Sequence, residues 1–468
     1  MRFNHLPLLL IFLLASPLFI NCTLSAKAEV AQAPQGLYLG VDAAFANVAQ
    51  TEQLIDNVSF YTNFFIIGCE QQIGENNGFG IYNETRLTLI SQYVYNKGLN
   101  FIVYSDDPTY PSESWIENAT QDYGSRFMGI YCFDEPGGRQ LDQGRWPTFL
   151  SADNFTNAAD QYVNTLNQAL RTGRFAIARS FENPSQCQLF TSDYALYWYD
   201  YEAGYNTVFA ELGLNSGNEY YSRWLSMALC RGAATAFGQN WGAMITYAST
   251  KSPYMESGSQ LYDDMILAYD DGAKYIVVFD SNPNFTENIL QPSQLAAIKE
   301  FWQYAQSHPR VVSTPSDRSA YVLPQDFGYG FRSPNDTIWG LWKVDWDGSA
   351  SIAFVADISM CTVTFLQMLG SSLDIIYPFS NGTIASLGYQ NVIYWNDTSL
   401  VPNMPSIPPS SYAVGSFKPT TATPFYINTS PQPHEAAELE LYTALAISIV
   451  AVCIAGVLLT QRRRRLSA

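Results

Sequence analysis

The sequence predicts an α/β protein: a TIM-type (β/α)8 barrel followed by a small α/β domain and a C-terminal transmembrane helix. Three observations carry this expectation. Between Gly36 and His308, short apolar runs alternate with stretches of helical periodicity and divide into eight units, and about 270 residues is the usual size of such a barrel. After Arg310 the pattern changes to strand-like runs split by one long helical stretch. Leu441 to Thr460 is an uncharged run of 20 residues, long enough to cross a bilayer as a helix.

The first four strands are expected at Leu37 to Val41, Phe64 to Gly68, Phe101 to Tyr104 and Met128 to Phe133, each a nearly continuous apolar run of the kind that a parallel sheet covered on both faces requires. Asp153 is placed to cap a helix whose Phe155, Ala158, Ala159, Tyr162, Val163 and Leu166 share one stripe. The fifth strand has two candidates, Phe175 to Ser180 and Gln188 to Thr191. With the first, Ser192 caps a short helix through Tyr194 to Ala203; with the second, Asp193 sits at a strand tip. Thr207 to Leu212 is the sixth strand, and Tyr221, Trp224, Leu225, Ala228 and Leu229 give the following helix its buried face. Trp241 to Tyr247 and Tyr275 to Asp280 complete the eight, and the last helix begins at Pro292 or Ser293, since proline is tolerated in a first turn. In the smaller domain, residues 311–400, strands are expected at Ala320 to Leu323, Trp339 to Trp342, Leu373 to Tyr377 and Val392 to Trp395, with a helix across Ile352 to Gly370.

The termini set the compartment. Leu6 to Ile20 is almost wholly apolar after Arg2, and Ala26-Lys27-Ala28 is an A-x-A site, so residues 1–28 read as a removed secretory signal and the barrel domain as 29–310. Residues 401–440, rich in Pro, Ser and Thr, read as an extended stalk. Glu435, Glu438 and Glu440 precede the apolar run and Arg462 to Arg465 follow it, so the positive-inside rule makes 461–468 a cytoplasmic tail and leaves the large region outside a single-pass membrane protein. The bilayer is thus one expected partner. Nine sequons from Asn57 to Asn428 agree with an exported glycoprotein, and none begins between Phe155 and Pro283.

The formal charge of −18 makes nucleic acid a poor partner. Of seven cysteines, Cys22 and Cys453 fall in the terminal apolar segments, leaving an odd number without metal-ligand spacing. Only three histidines exist, and two of them, His5 and His434, lie outside the folded body, so neither a zinc site nor a His-dependent triad is easily assembled. No cofactor and no metal is expected.

The chemistry is expected at strand tips. The segment FMGIYCFDEPGG, Phe127 to Gly138, ends an apolar run abruptly in Asp134 and Glu135, with Pro136 stopping the ladder and two glycines allowing a tight exit. In such a barrel this end of each strand lines the shared active-site face. Glu211 likewise ends the run Val208-Phe209-Ala210, ahead of Gly213; the structural alternative is an ion pair with Arg223 or Arg231. Two carboxylates about 5 to 10 Å apart in one pocket are what cleavage of a glycosidic bond needs, one as proton donor and one as nucleophile or base. Glu135, Glu211 and Asp134 are therefore the candidate catalytic residues. Asp106, after the third strand, and Asp193 are candidate substrate contacts, as are Trp198, Tyr199 and Tyr247, whose flat rings suit stacking on sugars.

With these residues the chain resembles glycoside hydrolase barrels in which an adjacent Asp-Glu pair closes the fourth strand. The resemblance to substrate-assisted N-acetylhexosaminidases implies Glu135 as acid/base and Asp134 as the residue orienting an acetamido group. The small domain looks like the amidotransferase-like accessory domains of some β-galactosidases, although its PQDFGYGFRSP segment has no nucleophilic cysteine. The sequon-rich exterior with one C-terminal anchor is similar to archaeal envelope proteins. A carbohydrate is the expected substrate of a membrane-anchored extracellular hydrolase; the competing expectation is a noncatalytic glycan-binding or envelope-scaffold protein on the same barrel.

Overall fold

The computed structural model describes residues 34–44, 46–68, 83–105, 110–143, 151–172, 176, 187–213, 220–332, 336–344, 354–379 and 384–397. The expected signal, stalk, membrane segment 441–460 and basic tail lie outside the described residues, as do Asp106 and, apart from Ala176, the first candidate for the fifth strand. Among the described residues no helix is long and apolar enough to cross a membrane.

Eight parallel strands close into a barrel in sequence order: β1 (Tyr38–Asp42), β2 (Phe64–Ile67), β3 (Asn100–Ser105), β4 (Phe127–Cys132), β5 (Gln188–Asp193), β6 (Thr207–Leu212), β7 (Asn240–Ile245) and β8 (Tyr275–Phe279). Closure comes from β1 pairing with β8, Tyr38 opposite Tyr275 through Asp42 opposite Phe279. The fifth strand is the second of the two candidates, extended by two residues to include Ser192 and Asp193.

Side chains alternate in and out along each strand. Phe64, Ile66, Ile102, Tyr131, Phe190, Phe209, Met244, Tyr275 and Val277 fill the interior, while residues of the other parity, such as Leu39, Val41, Phe65, Val103, Leu189, Val208 and Ile276, join the outer core beneath the helices. Those helices are α1 (Val48–Val58), α2 (Glu84–Asn96), α3 (Glu113–Tyr123), α4 (Pro136–Gln143), α5 (Phe155–Leu170), α6 (Tyr197–Ala203), α7 (Tyr220–Phe237), α8 (Gly258–Asp270) and α9 (Pro292–Ser307). The cap of α5 is Asn154 rather than Asp153; its side chain accepts from the Asn157 N–H at 2.8 Å. Pro292 opens α9 as expected.

After the barrel, β9 (Ser319–Val322) is the centre of a three-stranded parallel sheet, flanked by β12 (Leu373–Ile376) and β13 (Asn391–Tyr394). Helix α10 (Phe354–Leu369) lies between β9 and β12 in sequence. Trp339 to Trp342 is not a strand. It holds the turn between the two-residue strands β10 (Thr337–Ile338) and β11 (Trp342–Lys343), with Trp339 and Gly340 both at positive φ, which an extended strand does not permit.

The sheet packs directly on α7. Gly232 lets β12 come close, since a Cβ there would lie 2.5 Å from the Ile375 carbonyl oxygen. Beside it, buried Arg231 reaches Asp374 on β12 at 2.7 Å and Asp271 after α8 at 3.2 Å, and donates to the Ser371 and Leu373 carbonyls. Arg318 and the Tyr389 hydroxyl complete the shell around Asp374. Pairing of this kind with carboxylates and carbonyls is what the buried Arg231 guanidinium requires.

Candidate active site

The exit of β4 is held in a costly conformation. Phe133 and Glu135 both have positive φ, 58° and 52°, on either side of Asp134, and non-glycine residues adopt such a backbone at a cost of about 1 kcal/mol or more each. Neighbouring strands hold it there. The Phe133 N–H donates to the Ser105 carbonyl at 3.3 Å, Thr191 Oγ1 donates to the Phe133 carbonyl at 2.5 Å, and the Glu135 N–H donates to the Ser192 carbonyl at 3.1 Å. Pro136 then starts α4 instead of ending in a simple turn. The N–H groups of Gly137 and Gly138 in its first turn, together with those of Tyr194 and Ala195, all donate to the Asp193 carboxylate, at 2.5, 2.9, 2.7 and 3.0 Å. Gly138 is needed by contact: a Cβ there would sit 2.1 Å from the Tyr194 ring.

Period-two alternation brings the reactive groups together. Ser192 follows interior Phe190 by two residues, and Glu211 follows interior Phe209 by two, so both side chains turn inward at the barrel mouth. Ser192 Oγ donates to Glu211 Oε1 at 2.7 Å and lies 3.2 Å from Asp134 Oδ1. The Tyr131 hydroxyl donates to the same Asp134 oxygen at 2.5 Å and touches Ser192 Oγ at 2.5 Å. Arg139 stands 3.7 Å from the other Asp134 oxygen. Glu135 and Glu211 lie near enough for the charge of Glu211 to raise the Glu135 carboxyl.

Burial dominates the electrostatics. It pushes the Glu211 carboxyl up to about 8, with the charge of Asp134 adding to it and the Ser192 hydrogen bond opposing it. Glu135 is raised well above the ordinary range by burial first, then by Glu211 and Asp134, against the pull of Arg139. Two such acids side by side at one mouth disfavour double ionisation, so the pair retains a proton near neutrality. Tyr131, raised by burial and then by Asp134, stays a phenol and a donor. Tyr247, half-buried beyond β7, is pushed up to about 12 by burial and then by Glu135, Glu211 and Asp134, so its ring belongs to the same mouth.

The other expected contacts lie elsewhere. Asp193 has the outward parity and is fully buried, with its oxygens occupied by four backbone donors; it anchors α4 and the turn before α6. Trp198 and Tyr199 are buried at 5% and 1% exposure. Trp198 packs on Phe237, Tyr377 and Phe379, and Tyr199 on Trp339 and Tyr377, because α6 faces the segments beyond the barrel instead of its mouth. Neither arginine pairs with Glu211: Arg223 binds Asp264 and Glu256 at 2.5 and 2.9 Å, and Arg231 is engaged as described above. Sequence reasoning missed Tyr131 and Ser192, which the same inward alternation would have found. Among the described residues no group of three His, Cys, Asp or Glu side chains is arranged to hold a metal ion.

No protein-family model matches this chain, and no curated protein matches it. Among solved structures, a GH5_18 protein from Streptomyces cattleya in complex with GlcNAc is similar at 11% identity and a TM-score of 0.48, over 78% of this chain and 100% of that one. A polyextremophilic β-galactosidase from the Antarctic haloarchaeon Halorubrum lacusprofundi is similar at 10% identity and a TM-score of 0.49, over 76% and 69%. The catalytic module of a family 98 glycoside hydrolase from Streptococcus pneumoniae, in complex with the H-disaccharide blood group antigen, gives 9% identity and a TM-score of 0.44, over 79% and 67%.

Proposed function

We propose that the protein is a glycoside hydrolase that cleaves a glycan by carboxylate acid/base catalysis. The observation that carries this reading is the convergence of Glu135, on the turn after β4, and Glu211, buried at the tip of β6, at the C-terminal barrel face, where burial and repulsion from neighbouring carboxylates raise both carboxyl groups. Cleavage of a glycosidic bond requires one carboxyl group to protonate the departing oxygen and another, ionised, to meet the developing positive charge at the sugar carbon. In this reading Glu135 is the acid, since it sits on the half-exposed turn above the mouth, and Glu211 is the nucleophile, since it lies deeper and is oriented by Ser192. Asp134, held by Tyr131, Ser192 and Arg139, is the residue placed to orient the substrate beside Glu135. The apolar run 441–460 and its arginine flank support attachment to a membrane with the barrel outside the cell, in the manner of an envelope glycoprotein.

Glu135→Gln keeps the shape of the side chain and removes the proton donor. Screened on aryl glycosides, the variant is expected to lose turnover of poor leaving groups by roughly 10²- to 10⁴-fold while folding normally. Undiminished turnover would end the assignment to this strand.

A further inference from the structure

One carboxylate at the barrel mouth is left over from the proposed chemistry. Asp42 ends β1 and shares the inward parity of Tyr38, whose ring packs on interior Phe64 and Tyr275. It is only 3% exposed, and Oδ1 has no hydrogen-bond partner. Among the described residues none donates a hydrogen bond to its carboxyl group, although the backbone around it is tied: the Asp280 N–H donates to the Asp42 carbonyl and the Ala43 N–H to the Ile66 carbonyl. Oδ1 is also crowded, since a Cβ at Gly68 would come within 2.2 Å of it.

The contrast with the other tip aspartates is informative. Asp193 and Asp280 have the outward parity, and each is bound by backbone N–H groups, Asp280 by those of Ile289 and Leu290 at 2.8 and 2.9 Å. They hold loops. Among the described residues Asp42 holds no loop, yet leaving a buried carboxyl group without hydrogen-bond partners costs stability. In an eight-stranded barrel β1 lies across the mouth from β4 to β6, so a sugar ring between Glu135 and Glu211 would turn its far edge to β1. Burial first, then the charges of Asp134 and Asp280, hold the Asp42 carboxyl well above the ordinary range.

Resting on the hydrolase reading for the class of ligand, we propose that Asp42 is the specificity-determining residue that accepts hydrogen bonds from the hydroxyl groups of the sugar ring held over the two glutamates. Hydroxyl donors from the substrate supply what the protein withholds. A site built this way discriminates strongly against a sugar lacking the hydroxyl, since the carboxylate then stays buried and unbound.

Asp42→Asn and Asp42→Ala test this in the full-length protein. Thermal unfolding is followed with and without glucose, galactose, mannose, fucose and N-acetylglucosamine at millimolar concentration, and with the deoxy analogue of whichever sugar stabilises the wild type. The expected result is that at least one sugar raises the wild-type midpoint, that its deoxy analogue at one position does not, and that both variants lose the response while unfolding at the wild-type temperature or above. A variant that melts lower than wild type would assign Asp42 to the framework and overturn the proposal, as would a sugar response that survives substitution or a wild type that responds to no sugar. Turnover measured in parallel separates the two readings: sugar binding through Asp42 without hydrolysis removes the enzyme and leaves the subsite.

Discussion

Ser192 stands between two acids, and the hydrogen bond it donates to Glu211 eases the ionisation of that carboxyl group. Its hydrogen bond lowers the Glu211 pKa against the larger upward push of burial. Ser192→Ala should therefore move that carboxyl further up. If the ionised form of Glu211 is the attacking one, the acid limb of the kcat/KM profile shifts to higher pH, and the rate at pH 7 falls about tenfold, the worth of one lost hydrogen bond to a charged group. An unchanged profile would detach Ser192 from the chemistry. At this scale the sequence was readable where an apolar run ended in a carboxylate, as at Glu135 and Glu211. It was misread at Asp193, because the fifth strand was expected to stop at Thr191 and the alternation that turns Ser192 inward and Asp193 outward was not carried two residues further. Trp198 and Tyr199 were misread for a different reason: aromatic rings serve a core and a sugar equally well, and only the placement of α6 against Trp339, Tyr377 and Phe379 tells them apart.

Helix α4 is the element on which the site depends. It begins immediately after the positive-φ pair, and its first turn is clamped by Asp193 and pressed against Tyr194. Gly138→Ala forces a methyl group into that ring and is expected to cost about 1–3 kcal/mol, read as a lower urea midpoint with an unchanged slope. Because the Glu135 carbonyl accepts from the Arg139 N–H in the same first turn, displacement of that turn should lower activity at temperatures where the variant remains folded. Elements were the most legible level of the sequence. Seven barrel strands were expected within a residue or two of their positions, since continuous apolar runs between polar turns leave little choice. The hairpin around Trp339 was not, because its apolar residues look like a strand and only the backbone at Trp339 and Gly340 breaks it. The swap of Asp153 for Asn154 as the α5 cap reflects two equally good capping residues side by side.

For the molecule as a whole, the buried acids set the response to pH. Glu211 and Glu256 are pushed up to about 8, and Asp193 and Asp271 to about 6, in each case by burial first. A carboxyl group whose folded pKa lies above its unfolded value near 4 takes up a proton on folding between the two. Its contribution is therefore greatest below the unfolded pKa and is lost as pH rises through the folded one. The net charge of −18 adds self-repulsion in the same direction. The urea midpoint is expected to be higher at pH 5 than at pH 8; the reverse order would mean that these groups are ionised in the native state.

The bond from Arg231 to Asp374 spans 143 residues and carries a consequence for how the chain is made. A polypeptide emerges from its N-terminus, so every barrel strand is available before the counter-ion of Arg231 has been synthesised. During that interval the guanidinium on α7 has Asp271 as its remaining acidic partner, and the face around Gly232 that will receive β12 is bare. A chain stopped at Arg310 reproduces this interval permanently. It contains all eight strands, and it is expected to be recovered in aggregates or bound to chaperones, whereas the chain extended through β13 is expected to be soluble; recovery of soluble, monomeric protein ending at Arg310 would show that the barrel is finished before its last partner arrives. The expected insolubility of the shortened chain would mean that the barrel is completed only once β12 has been made, and not when its own eighth strand closes on the first.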